Sequence, residues 1–181
     1  FDTGSRATRV ALEHSWLAAR AARDRIDVMH HGGGTIPAFG PTPAVVTIHD
    51  LQWQQYPEYI SSLKLAYLRF ATPRTLRRAA VVTTVSDYVK RTVVDAYGVD
   101  ERRIVVTHHG MEADLGAVST PESELRARYG LGDRPIVVYP AMTHPHKRQD
   151  FLVDLMAGPW SDVTLVLTGG EGAAESRVRE R

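Results

Sequence analysis

The feature that most constrains this chain is a series of short, nearly continuous Val/Ile/Leu runs, each separated from the next by a helix-like stretch. The runs are 27–30 (DVMH), 44–48 (AVVTI), 80–85 (AVVTTV), 104–107 (IVVT), 135–139 (PIVVY) and 163–167 (VTLVL). They do not alternate apolar with polar, which is the texture of strands covered on both faces in a parallel sheet. Residues 6–24 place Val10, Leu12, Trp16, Leu17 and Ala21 at three- and four-residue spacings, a helix pattern. Residues 61–79 carry Leu63, Leu65, Ala66, Leu68 and Phe70, with Pro73 expected to kink or divide the stretch. Ser86 reads as the N-cap of a helix over 87–97 that ends at Gly98. Thr120-Pro121 opens another helix that stops before Gly130, and 149–157 closes at Gly158-Pro159. Strand and helix alternate, so the fold class is α/β with open, mostly parallel sheets.

The series breaks once. After the run at 104–107 comes THHG and then an irregular, polar stretch, MEADLGAVSTP, before a fresh helix–strand–helix–strand order begins. Residues 1–112 are expected to form the later part of one Rossmann-like domain, and 113–181 the opening part of a second. A length of 181 residues suits either one domain or parts of two, at about 100–200 residues per domain. The start at Phe1 and the stop in a charged stretch after a strand-and-glycine signal favour a chain truncated at both ends.

Composition removes other classes. With 43% hydrophobic residues the chain is too apolar for a disordered tail. A formal net charge of +1 gives no electrostatic case for a nucleic-acid partner or a dedicated membrane-surface binder. The absence of cysteine excludes a disulfide scaffold, cysteine-ligated zinc and a cysteine nucleophile, and it fits a reducing compartment. No apolar run approaches the roughly 18 residues needed to span a bilayer. A cytoplasmic location, with the inner face of a membrane as a possible station, is the expectation.

The chemistry-bearing residues gather at strand ends. His30, His31 and Gly32–Gly34 close the first run, His49-Asp50 the second, Ser86 the third and His108-His109-Gly110 the fourth. Thr143-His144-Pro145-His146-Lys147-Arg148 lies just beyond the fifth, and Thr168-Gly169-Gly170 follows the sixth. Of 8 histidines only His14 is elsewhere. Ligands of open parallel sheets bind outside the carboxyl ends of the strands, often at helix N-termini. For His49-Asp50 a helix or turn cap and a pocket role both stand. The glycines at 32–34 serve equally as a flexible turn or as a close approach to ligand. Lys147 is the strongest candidate, since an ammonium before a helix N-terminus suits phosphate, and Arg148 either shares that task or is a solvated cation. No metal is expected, because adjacent histidines on a strand point to opposite faces and no His-Glu-x-x-His is present. A P-loop and a Gly-x-Ser-x-Gly elbow are both absent.

In this order and spacing, HHGGGTIP, VVTIHDLQWQQYPEYIS, VVTTVSDYVKRTVVDAYGVDERRIVVTHHGME, IVVYPAMTHPHKRQDFLVDLM and VTLVLTGG resemble family 4 retaining glycosyltransferases, most closely the mannosyltransferase-like branch. The resemblance covers about 27–170. It implies the GT-B architecture, in which two Rossmann-like domains flank the active site. It also implies transfer of a hexose, mannose being the leading candidate, from a GDP- or UDP-sugar to a glycan or lipid-linked acceptor with retention, and no cofactor.

By position, His49 is similar to the family's histidine facing the transferred sugar, with Asp50 beside it. Lys147 resembles the lysine that neutralises the donor diphosphate. Gly169 and Gly170 resemble the glycines before the nucleotide pocket, and His108-His109-Gly110 the interdomain hinge. His31, Gly32 and Gly33 fall on the acceptor-side loop. Ala141 stands where many members carry an arginine, so His144, His146 or Arg148 would share the phosphate charge. The family's Glu-x7-Glu pair is not found, since Glu171, Glu175 and Glu180 lack its spacing. Two other readings remain open: a nucleotide-sugar 2-epimerase-like isomerase on the same architecture, or a non-catalytic phosphate-binding module.

Overall fold

The computed structural model describes residues 6–113, 116 and 119–181. Residues 114, 115, 117 and 118 of the irregular stretch after the fourth run lie outside the described residues. The chain divides into two compact units, Phe1–Gly110 and Met111–Arg181.

The first unit begins with helix α1 (Arg6–Leu12), a π-helical turn (Glu13–Leu17) and α2 (Ala18–Arg23). Four parallel strands follow, β1 (Met29–His31), β2 (Ala44–Ile48), β3 (Val81–Thr84) and β4 (Ile104–Val106), in spatial order 1-2-3-4. The first strand is shifted from the expected 27–30, which leaves Asp27 and Val28 outside it and puts His30 and His31 inside. Between β2 and β3 lie α3 (Gln52–Gln55) and α4 (Ser62–Arg78), and between β3 and β4 lies α5 (Asp87–Tyr97). The Ser86 hydroxyl accepts from Val89 N at 3.2 Å, and Gly98 ends α5 in the left-handed conformation at φ 63°, as the sequence predicts.

Two expectations fail here. Helix α4 runs unbroken through Pro73. A proline inside a helix costs about 3 kcal/mol, yet the same helix buries Ala71, Thr72, Thr75 and Leu76, and Arg103 of β4's approach donates to the carbonyls of Leu76, Arg77 and Ala79 at its end. Each buried side chain of Leu size stabilises by about 1.5–3 kcal/mol, so packing outweighs the missing N–H.

The sheet, moreover, is not covered on both faces. Val46, Ile48, Val82 and Ile104 are buried with Leu76 of α4 and Val89 and Val93 of α5 in one core. The alternate positions Val45, Thr47, Val81 and Thr83 are only half-buried, and Val105 is exposed. Both crossovers run in the same direction along the sheet, and right-handed crossovers of that kind put their helices on one side. The open face is laced by hydrogen bonds, His30 Nε2 to Thr47 Oγ1 at 2.8 Å and Thr47 Oγ1 to Thr83 Oγ1 at 2.8 Å.

The second unit holds α6 (Glu122–Tyr129), β5 (Ile136–Pro140), α7 (Gln149–Met156), β6 (Thr164–Thr168) and α8 (Glu175–Arg179). Gly130 caps α6 in the left-handed conformation. Strands β5 and β6 pair in parallel, with Pro140 opposite Thr168. That register lays the segments after the two strands side by side.

Candidate functional site

In the first unit the strand ends converge on His49. Its Nε2 donates to Gly32 O at 3.0 Å, which fixes the tautomer and leaves Nδ1 with the lone pair. The His49 ring stacks on His109, centroids 5.6 Å apart and planes within 10°. Asp50 accepts from Gln52 N through Oδ1 at 3.0 Å, so it caps the first turn of α3. Gly34 ends the preceding turn at φ 81°, a conformation that requires glycine. Gly32 and Gly33 have open space where a side chain would stand. The glycine turn after β1 and the segment His108–Gly110 therefore meet at one imidazole, with Gly32 as the bonded partner and His109 as the stacked one.

His30 and His31 do not join this group. Their side chains point to opposite faces of β1, as adjacent strand residues must. His30 belongs to the open-face ladder described above. His31 Nε2 is buried without a hydrogen-bond partner among the described residues. Burial lowers the His31 pKa from its ordinary value, opposed by Glu13 and assisted by His30 and His14. A ring that resists protonation is poorly placed to grip an anion. His14, the histidine away from strand ends, accepts from Ala38 N through Nδ1 at 3.0 Å and meets Tyr67 Oη through Nε2 at 3.2 Å. With Nδ1 accepting, Nε2 carries the hydrogen.

In the second unit the loop after β5 carries the cations. Pro145–Lys147 form a single 3₁₀ turn, and Arg148, at φ 54°, turns the chain into α7. No ion pair among the described residues involves the Lys147 ammonium, which stands exposed. Arg148 is turned toward Asp150 at 3.5 Å and lies over the Phe151 ring at 5.9 Å. The Nδ1 atoms of His144 and His146 are 2.6 Å apart, so one ring must donate to the other. No group of three or more His, Asp or Glu among the described residues is placed to hold a metal ion.

Beneath these cations is a polar clamp that the sequence reading did not assemble. Gln149, 1% exposed, donates through Nε2 to Met142 O at 3.0 Å and Ala141 O at 3.3 Å. The Thr143 hydroxyl donates to Glu175 Oε2 at 2.6 Å and accepts from Gly172 N at 2.8 Å. Thr143 N donates to Gly170 O, and Ala174 N to Thr143 O. The hydrogen bond from Thr143 holds Glu175 below the ordinary Glu range, with Arg179 adding to it at 2.7 Å.

The glycines are explained by this clamp. A Cβ on Gly169, at φ 137°, would lie 2.6 Å from the Ala141 carbonyl, and one on Gly172 would lie 2.1 Å from Thr143 O. Two loops pressed this close leave no room for a side chain. Gly169 thus meets its own chain, and Gly170 lies beside Met142. The signal that would have exposed the clamp is the pairing of the two strand ends. Thr143, three residues past the end of β5, meets Gly170, Gly172 and Glu175 of the segment after β6.

Two parallel α/β units with histidine, glycine and lysine at their strand ends have the fold class of GT-B glycosyltransferases. The solved structure of Anabaena Alr3699/HepE in complex with UDP and glucose matches at a TM-score of 0.69 with 23% identity, covering 91% of this chain and 45% of that one. The same protein in complex with UDP-glucose matches at 0.58 with 25% identity, over 77% of this chain and 37% of that one. A glycosyltransferase from Rickettsia africae matches at 0.52 and 14% identity, over 98% and 55%.

The model of Glycosyltransferase Family 4 matches residues 3–115, and the chain belongs to that family. It is 30% identical over 167 residues to the GDP-mannose-dependent alpha-(1-6)-phosphatidylinositol monomannoside mannosyltransferase of Mycolicibacterium smegmatis, covering 90% of this chain and 37% of that protein. It is 26% identical over 137 residues to the O-antigen chain mannosyltransferase B of Escherichia coli, covering 75% and 36%. The chain spans little more than a third of the length of these two curated relatives.

Proposed function

We propose that the protein to which this chain belongs transfers a hexose, mannose in the first instance, from a nucleotide-sugar donor to a glycan or lipid-linked acceptor with retention of configuration. The observation that carries this reading is Lys147, an ammonium with no paired acid, presented at the start of α7 on a loop held from below by Gln149, Thr143 and Glu175. Charge that develops on a departing diphosphate is stabilised most by a cation already in place, because no reorganisation is then needed during the reaction. His144 and His146 supply the additional donor that Ala141 does not. Arg148 is the weaker contributor, since Asp150 already engages it.

On the first unit, His49 faces the transferred sugar. Its Nε2 hydrogen is committed to Gly32, so Nδ1 accepts from a sugar hydroxyl, and Asp50 acts indirectly by holding the turn that follows His49. His108–Gly110 form the connection between the acceptor-side domain and the donor domain. GDP-mannose is the favoured donor because both curated relatives are named as mannosyltransferases and one as GDP-mannose-dependent. A UDP-sugar is the alternative, from the UDP-bound structures of the Anabaena protein. Retention is proposed without a protein nucleophile, as the carboxylates named at the strand ends, Asp50 and Glu175, are each held by a hydrogen bond to their own loop.

The test uses the full-length protein with labelled GDP-mannose and UDP-glucose. Lys147→Ala should lower turnover about 100-fold or more, the scale of losing one preorganised donor to a developing anion. Lys147→Arg should retain part of it. Unchanged turnover in Lys147→Ala removes the assignment, and epimerised donor without transfer replaces the transferase reading by the isomerase one.

A further inference from the structure

Tyr139 is the penultimate residue of β5, opposite Leu167 of β6. Its hydroxyl reaches forward to the cation loop and donates to the Lys147 carbonyl at 3.1 Å. Among the described residues no other donor meets that oxygen. The reason lies in Arg148, whose backbone is left-handed at φ 54° and ψ 36°. A continuous helix would aim Phe151 N at Lys147 O, yet here Phe151 N donates to Arg148 O at 3.0 Å. The Lys147 carbonyl is thereby left off the α7 ladder, and a side chain from β5 takes it.

The same peptide plane is held at its other polar atom. Arg148 N donates to Pro145 O at 3.3 Å, which closes the 3₁₀ turn that carries Lys147. Left-handed backbone is unfavourable for a residue with a Cβ. Turning the Lys147–Arg148 plane over would carry φ of Arg148 to a negative value, which arginine prefers. A flipped plane would also withdraw Arg148 N from Pro145 O, so the turn under Lys147 would open. Two bonds oppose that flip, and the one from Tyr139 is the shorter. Strained backbone of this kind persists only where its surroundings over-determine it.

We propose that Tyr139 is a positioning residue for Lys147. Its hydroxyl locks the Lys147–Arg148 peptide and so keeps the ammonium in place for the departing diphosphate. The inference rests on the reading of Lys147 given above, and it adds an uncharged side chain on a strand on which the effect of that lysine depends. A cation fixed beforehand stabilises developing charge without reorganisation, and a lysine on an opened turn loses that advantage. The hydroxyl hydrogen is already committed to Lys147 O, so Tyr139 acts through the lysine and not on the donor.

Turnover and amide exchange of the full-length protein, with labelled GDP-mannose and UDP-glucose as donors, test it. Tyr139→Phe removes one oxygen and keeps the ring. It should lower kcat about tenfold, the upper end of what one neutral hydrogen bond contributes, with donor KM within about twofold. The Lys147 carbonyl is exposed and water replaces the lost donor, so the thermal midpoint should stay that of the parent. Exchange of the Arg148 amide should quicken while β5 and β6 keep their protection. Tyr139→Phe combined with Lys147→Ala should be no slower than Lys147→Ala alone, because a residue acting through the lysine has nothing left to position. A further tenfold loss in the double variant overturns the proposal, as does a loss confined to KM or an unchanged Arg148 amide. Unchanged turnover in Tyr139→Phe beside a loss of about 100-fold in Lys147→Ala removes this inference alone. No transfer by the parent, or full turnover in Lys147→Ala, removes the reading of Lys147 and this inference with it.

Discussion

The two units bury opposite kinds of side chain. In the first, the core is apolar: Val46, Ile48, Leu76, Val82, Val93 and Ile104 are each at most 4% exposed. In the second, the buried residues among those described are Thr143, Gln149 and Ala174, and two of the three are polar. The apolar residues of the second unit stay partly in water, Val138 at 55% and Phe151 at 50%. A two-stranded sheet has too little area to enclose a hydrophobic core. What it does enclose is the hydrogen-bonded clamp under Lys147. The first unit gains order from area, and the second gains it at its strand ends from directional bonds.

The largest effect that would sharpen this contrast is a cavity in the apolar core. Leu76→Ala should destabilise the first unit by about 2–5 kcal/mol, read from denaturant unfolding. Amide exchange in β5 and β6 should be unaffected. If both units lose protection together, the contrast is wrong and the chain unfolds as one cooperative body.

Next comes the clamp itself. Gly172→Ala places a methyl 2.1 Å from Thr143 O, so the two loops must separate. Overpacking of this kind costs about 1–3 kcal/mol. Faster exchange at Thr143 and Ala174, with the first unit unchanged, is the expected reading. A change of similar size follows from Thr143→Val, which leaves the Glu175 carboxylate and the Gly172 N–H without their partner, about 1–3 kcal/mol. Thr143→Ser keeps both bonds and should restore most of the loss. An equal loss in the serine variant would mean that packing of the methyl, not the hydroxyl, holds the loops.

The sequence made much of this legible, and the reasons it fell short are local. Caps speak through single residues, so Ser86, Gly98 and Gly130 announce their helix ends. The strands announce themselves because a run such as AVVTI has few other uses. Sheet coverage is different, since a β-branched residue suits a half-buried surface as well as a buried one. Val45 and Val46 look alike in sequence, yet only Val46 meets α4 and α5. Pro73 misled for a related reason, because the packing that carries α4 through it comes from residues far away in the chain. At the candidate site, His49, Lys147 and the glycines were visible as residue types at strand ends. Glu175 was not, because its bond to Thr143 depends on β5 pairing with β6, a contact between segments more than twenty residues apart, and Gln149 was not, because it folds back on the carbonyls of Ala141 and Met142 in its own loop. The even balance of charge likewise says nothing of α4, which carries Lys64, Arg69, Arg74, Arg77 and Arg78 and no acid, since a sum over the chain carries no positions.

The smallest predicted effect is acid sensitivity, and it separates the units by pH window. His31 has its pKa lowered in the folded first unit, chiefly by burial, against an ordinary value of 6.5. The unfolded chain therefore takes up that proton first as pH falls. The stability tied to a neutral His31 is complete above 6.5 and declines as pH drops from there toward the lowered folded value. Glu175 is also lowered, chiefly by the Thr143 hydrogen bond, against an ordinary value of 4.5. Its contribution is complete above 4.5 and is lost as pH falls through the folded value below that. Between the two windows the first unit should already be weakening while the clamp holds. Unfolding followed by amide signals of β2 and of β5 as a function of pH reads the two units independently. His31→Gln should flatten the upper window in β2 and leave β5 untouched, and Glu175→Gln should do the reverse. A single shared acid transition that neither substitution moves would erase the distinction between a unit held by buried apolar area and one held by a carboxylate clamp.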